Sequence, residues 1–208
     1  MVLFNIYFSS CVLLLLTLNT HTATGHPLPE LSKERCSDCS VLFKNLLLNI
    51  TQLLNSDALC FGIPSNEIVV RSITDTLLAC TPNLIQNPHC MMQRNATFNE
   101  TECLSNIMKD LAHYAAVIQS YLSSSLRSPE EEVPLLSPTL GIIQSLRKSC
   151  SLMPDEEKDS SEEEVAQLWG DDSYRNRQEM CKMMRGFYVR TITINRAVGY
   201  IASGEHRK

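Results

Sequence analysis

The sequence predicts an all-α fold, an up-up-down-down long-chain four-helix bundle with two long crossover loops, and three observations carry that prediction. Glycine occurs only seven times and aromatic residues make up 6% of the chain. Sandwiches and nucleotide-binding α/β sheets use more glycine in their turns and phosphate loops. Four segments repeat apolar residues at the three- and four-residue spacing of a helix face. The connections between those segments run long, short, long. A short connection forces neighbouring helices antiparallel, whereas a long one returns along the bundle and leaves the next helix parallel.

The 208 residues leave room for one domain plus tails. The first segment, Phe4 to Phe8 and then CVLLLLTL from Cys11 to Leu18, ends in the small residues Ala23 and Gly25. It reads as a signal peptide over residues 1–25, with the mature domain at 26–208, although no Lys or Arg precedes the apolar run. That run is too short to cross a hydrocarbon core of about 30 Å. No later stretch is long enough either, so no membrane insertion is expected and the product is expected to be secreted. With 23 acidic against 18 basic residues, a net charge of −5 offers no basic face for nucleic acid.

Segment A, about Ser37 to Asn55, repeats Cys39, Leu42, Phe43, Leu46, Leu47, Ile50, Leu53 and Leu54 at three and four. The crossover that follows has helical character of its own between Ser65 and Ala79. Segment B, about Thr101 to Leu126, buries Leu104, Ile107, Leu111, Ala115, Ile118 and Leu122, with Asp110 and His113 on flanking or outer positions. Thr101 or Asn99 caps it. Segment C, about Leu136 to Cys150, follows the connection SLRSPEEEVP. Segment D runs from about Tyr174 to Ser203 and stops at Gly204. The acidic run from Asp155 to Glu164 before it reads as a solvated loop.

Nine cysteines less Cys11 of the signal segment leave eight for an oxidising compartment. The bundle topology assigns each to an end. Cys60 and Cys181 lie at the top and can pair; Cys80 and Cys103 lie at the base and can pair. Cys150 closes C beside the start of A, so its partner is Cys36 or Cys39. Cys90 and one of Cys36 or Cys39 remain, and a leftover cysteine in a secreted chain points to a bond with another chain or else to a local Cys36–Cys39 bridge. Cys36-Ser-Asp-Cys39 has CxxC spacing, but without a second such pair no metal is expected. Asn49, Asn95 and Asn99 each open a glycosylation sequon.

Segment D has two faces. Met180, Met184, Phe187, Thr191, Ile194, Val198 and Ile201 form a core stripe rather than a cofactor box, and no cofactor is expected. The opposite arc gathers Arg185, Val189, Ile192, Arg196, Gly199 and Tyr200. Arginine and tyrosine among small apolar residues make the chemistry of a partner contact, in which the Arg196 stem lies against Val189, Ile192 and Tyr200.

The run CKMMRGFYVRTITINRAVGYI from Cys181 to Ile201, with ECLSNIMKDLAHY from Glu102 to Tyr114, closely resembles the interleukin-12 alpha subunit family of four-helix cytokines. That resemblance implies a subunit that pairs with a soluble-receptor-like beta subunit, the interleukin-12 beta subunit or a related chain. The pair would signal through the interleukin-12 receptor on lymphoid cells. It implies that Arg196 and Arg190 contact the beta subunit, that Cys90 forms the interchain disulfide, and that Cys60 joins Cys181 and Cys80 joins Cys103. Tyr174 matches a receptor-contacting position, and Trp169 lies nearby, either as a second aromatic anchor or folded back to cap the core. The family's mammalian members bond the helix A cysteine to a crossover cysteine that has no equivalent here, and Cys36 and Cys150 are extra. A saposin-like lipid-binding module is the alternative reading, but such modules are about half this length and lack the long crossover. No nucleophile elbow or histidine spacing supports an enzyme.

Overall fold

The structure, a computed structural model, describes residues 33–63, 67–69, 74–81, 84–86, 92–94, 98–150 and 168–204. The expected signal peptide, Cys90 and Asn95 lie outside the described residues. Among these, the chain forms α1 (Lys33–Leu54), α2 (Thr74–Cys80), β1 (Leu84–Gln86), β2 (Met92–Arg94), α3 (Glu100–Leu122), α4 (Pro129–Cys150) and α5 (Ser173–Ser203). Segments A to D are therefore α1, α3, α4 and α5, and the crossover helix is α2.

Each long helix follows from its residues. In α1 Cys39, Phe43, Leu46, Ile50 and Leu53 are all buried, a spacing of four and three that places one stripe against the bundle. Asn99 caps α3: its side chain accepts from the Glu102 amide at 3.1 Å, and Glu100 and Glu102 add negative charge to the first turn. Asp172 caps α5 by accepting from the Tyr174 and Arg175 amides. Gly204 ends it at φ 66°, a left-handed conformation that glycine adopts without a Cβ clash.

Helix α4 begins at Pro129, earlier than the expected Leu136, and shortens the connection from α3. Pro129 follows Ser128 at the first helical position, where proline is pre-organised and its missing N–H costs nothing. Glu132 reaches back to accept from the Ser128 amide at 3.0 Å. Pro134 and Pro138 sit inside the helix, and both are exposed, so the hydrogen bonds they omit fall on the solvent side.

Side-chain pairs fix the helix directions. Along α1 and α4, Cys39 meets Cys150 and Asn49 meets Thr139, so these helices are antiparallel. Along α1 and α5, Asn195 donates to the Phe43 carbonyl at 3.0 Å and Arg177 donates to the carbonyls of Ala58, Leu59 and Phe61. Along α3 and α5, Arg190 meets Asp110, Tyr114 stacks on Phe187 with centroids 4.0 Å apart, and Tyr121 meets Trp169 just before α5. With α1 and α3 each antiparallel to α4 and α5, the order is up, up, down, down.

Three disulfides close this arrangement, Cys39–Cys150, Cys60–Cys181 and Cys80–Cys103. The first two join residues 111 and 121 apart in sequence, so each removes about 3–5 kcal/mol of loop entropy from the unfolded chain. Beyond the expected helices, β1 and β2 form a short antiparallel ribbon, Leu84 opposite Arg94, within the first crossover.

Candidate functional site

Helix α5 carries the residues that the sequence singles out, and its neighbours decide which of them reach the surface. Its inner stripe, Met180, Met184, Phe187, Thr191, Ile194, Val198 and Ile201, is buried against the bundle. The opposite arc emerges near the C-terminal half. Arg196 is exposed, Val189 is 44% exposed, and Ile192 and Tyr200 are half-buried. Tyr200 is steadied by an edge-to-face contact with Phe98, centroids 5.3 Å apart, at the mouth of α3. One cation thus stands among apolar groups, an arrangement that fits a partner offering a carboxylate within an apolar surface.

Arg190 does not belong to that arc. It is 3% exposed, and its Nε lies 3.2 Å from Asp110 Oδ2 on α3. The same oxygen accepts from Thr76 Oγ1 of α2 at 2.8 Å. Placing Arg190 on the contact face is therefore corrected: its direction on the helix turns the guanidinium inward, between α3 and α5, where a carboxylate compensates the buried charge. Asp110 occupies the flanking rather than the outer of its expected positions, its side chain 13% exposed.

At the other end, Tyr174 is 45% exposed, and the Arg177 guanidinium lies 5.7 Å from its ring centroid. Arg177 is itself 4% exposed, its Nη1 bonded to three carbonyls of the turn after α1 at 2.9–3.3 Å. Of its two expected places Trp169 takes the core-capping one: it is half-buried, and its ring meets Tyr121 edge-on, 5.1 Å between centroids. Its Nε1 is buried with no hydrogen-bond partner among the described residues.

Behind Trp169 the Tyr121 hydroxyl donates to the Glu132 carboxylate, which is 1% exposed. Burial, then the hydrogen bond and charge of Glu132, push the Tyr121 phenol well above the usual tyrosine range. Sequence reasoning missed Arg177 and Glu132. The first lies in phase with Met180 and Met184 on the core stripe, where a cation demands a partner, and the second lies in the acidic first turn of α4. Both signals were present.

The sequons divide. Asn49 sits inside α1, half-buried, its Oδ1 accepting from Thr139, which is fully buried. That wedged position counts against a bulky glycan. Asn99 is exposed, and its capping bond uses Oδ1 rather than the Nδ2 that carries a glycan. Among the described residues no group of His, Cys, Asp and Glu is arranged to hold a metal ion, and no helix is long and apolar enough to cross a membrane.

Comparison with known proteins extends beyond this geometry. A family described as "Interleukin-12 alpha subunit" matches residues 6–204. Similar curated proteins carry the name interleukin-12 subunit alpha. The one from Bubalus carabanensis is 24% identical over 205 residues, covering 88% of this chain and 90% of the relative. That from Marmota monax is 25% identical over 203 residues, covering 85% and 86%. That from Ovis aries is 26% identical over 205 residues, covering 88% and 90%.

Proposed function

Since the chain belongs to the interleukin-12 alpha subunit family, and is thus a cytokine subunit rather than an enzyme, we propose that it acts as one half of a secreted heterodimer. Its partner is a soluble-receptor-like chain, the interleukin-12 beta subunit or a relative. The contact runs over the outer arc of α5, with Arg196 as central anchor and Val189, Ile192 and Tyr200 around it. Cys90 supplies the covalent link. The assembled pair activates the interleukin-12 receptor on lymphoid cells, with Tyr174 at the receptor-facing end.

The observation that supports this most is the exposure of Arg196 on a helix whose other arginines at the bundle interface, Arg177 and Arg190, are buried and engaged. A guanidinium offers a planar fork of donors that a carboxylate can accept bidentately, and the surrounding apolar arc excludes water as the partner closes. Once buried, such a pair depends on both members. Removing one costs about 3–5 kcal/mol, more than a hundredfold in affinity.

The test is non-covalent binding in a Cys90→Ser background, in which covalent dimer disappears from non-reducing gels. Arg196→Ala should then weaken binding to the beta subunit more than about a hundredfold with unchanged helical content. Binding within about threefold of the parent would place Arg196 in an ordinary surface pair. For the receptor end, Tyr174→Ala should preserve heterodimer recovery and weaken receptor activation at limiting dose. Undiminished activation would remove Tyr174 from the receptor contact.

A further inference from the structure

We propose that Asn99 carries an N-linked glycan while it caps α3, and that Asn49, which opens the same kind of sequon inside α1, stays bare. The proposal rests on the reading of the chain as secreted and goes beyond the pairing surface to the chemistry of its asparagine amides.

Both residues open an Asn-x-Thr sequon, Asn99-Glu-Thr101 and Asn49-Ile-Thr51, so the motif alone does not separate them. The fold separates them by how it uses each amide and by the space around it. Glycan transfer joins the amide Nδ2 to the anomeric carbon of a sugar. That carbon's bond to the diphosphate of a lipid-linked oligosaccharide breaks, and Nδ2 gives up one proton. The amide oxygen takes no part and keeps its lone pairs.

Asn99 stands outside the helix it starts, with φ −96° and ψ 99°, and it is exposed. Its Oδ1 accepts from the Glu102 amide at 3.1 Å. A glycosylated Asn99 retains that acceptor, so sugar and cap are compatible on one side chain. The segment is also held on both sides: Phe98 meets Tyr200 edge-on, and Cys103 is bonded to Cys80. The site therefore presents a fixed, outward amide.

Asn49 is placed in the opposite way. Leu46, Ile50 and Leu53 of the same helix are buried, and Asn49 Oδ1 accepts from the hydroxyl of Thr139 on α4, which is fully buried. This amide lies in the seam between α1 and α4 that the Cys39–Cys150 bond also closes. The sequon hydroxyl of Thr51 donates to the Leu47 carbonyl at 2.7 Å. A branched sugar on this half-buried amide would wedge the helices apart and strip Thr139 of its acceptor. The work of Asn49 is the seam itself.

The test uses the full chain secreted by eukaryotic cells together with the beta subunit. Asn95 shares a tryptic peptide with Asn99, between Arg94 and Lys109, so Asn95→Gln leaves one sequon on that peptide. Peptide N-glycosidase leaves an aspartate where a glycan was, and mass spectrometry should find that mark at position 99 and not at position 49. Asn99→Asp and Thr101→Val should each remove the glycan yet unfold within about 1 °C of each other, since both keep an oxygen that caps α3. Asn99→Ala, which loses glycan and cap together, should unfold about 2–4 °C lower. Asn49→Ala should leave the glycan mass unchanged and lower the unfolding temperature by about 2 °C, because Thr139 loses its acceptor. Secreted protein with Asn99 bare, or with a glycan on Asn49, overturns the proposal and leaves the heterodimer reading standing. A chain that stays in the cytosol with every sequon bare overturns the secreted reading as well. Asn99→Ala unfolding together with Asn99→Asp overturns the shared role of Asn99.

Discussion

At the N-terminal end of α5, Arg177 is buried and donates to the carbonyls of Ala58, Leu59 and Phe61. Near the C-terminal end, Arg196 is exposed, and no hydrogen bond or ion pair among the described residues holds it. The same side chain on the same helix therefore does two different jobs. At the first end the charge completes the fold, by satisfying carbonyls that the turn after α1 leaves unpaired. At the second end the charge stays in solvent, and the proposed function has it satisfied in association. Substitutions at the first end should register in stability, and those at the second in binding alone.

The largest expected effect tests that division directly. Arg177→Met keeps much of the stem but strips the donors from three carbonyls, a loss of about 3–5 kcal/mol. Thermal unfolding followed by circular dichroism should drop by roughly 10 °C. The same measurement on Arg196→Ala should move by less than about 1 °C, because surface changes away from special contacts are nearly neutral. Equal shifts for the two variants would erase the distinction.

Tyr121 and Glu132 belong to the same internally satisfied end and should show an intermediate effect. Tyr121→Phe leaves the buried carboxylate without one donor and should cost about 1–2 kcal/mol at neutral pH. The alkaline limb sharpens the reading. The folded-state phenol titrates above its unfolded value, so its contribution is complete below about pH 10 and declines as pH rises further, by about 1.4 kcal/mol per pH unit. Tyr121→Phe should flatten that decline in denaturant titrations between pH 9 and 11. An unchanged slope would mean that the phenol is open to solvent in both states.

Much of this architecture is legible in the residues, and the exceptions share a cause. Helices α1, α3 and α5 follow from apolar spacing and caps, which are local properties. The alternative between Cys36 and Cys39 is not decided by phase, since the two are three residues apart on one helix face; the structure bonds Cys39 to Cys150. The early start of α4 is obscured by Pro134 and Pro138, which read as breakers until their exposed positions are known. The ribbon, with strands of three residues, has no periodicity to detect. The places of Arg190 and Trp169 are hidden for a different reason. Whether a side chain at the margin of a helix face, or just before a helix, turns inward depends on a neighbour distant in sequence, here Asp110 and Tyr121.

The smallest effect concerns the crossover where it passes over α5. Lys182 Nζ lies 2.8 Å from Glu67 and 2.9 Å from Glu179, and the Val69 amide donates to the Lys182 carbonyl at 3.3 Å. Hydrogen bonds that the ammonium donates to Glu67 and then to Glu179 hold it above the ordinary lysine value of 10.5. The stabilisation is therefore present below that value and lost as pH rises through the folded-state value. Yet Glu67 is 71% exposed, so water and salt screen the pair, and it behaves as a surface contact rather than a second Arg177. Lys182→Met should lower the unfolding temperature by no more than about 2 °C at low ionic strength, with the difference vanishing at high salt. The local consequence should be clearer than the global one. Hydrogen exchange at Val69 should quicken in the variant, and in the parent as pH rises past the lysine range beyond the intrinsic acceleration, while exchange around Arg177 stays slow. Protection at Val69 that is indifferent to both changes would show that the strap is held by its backbone alone.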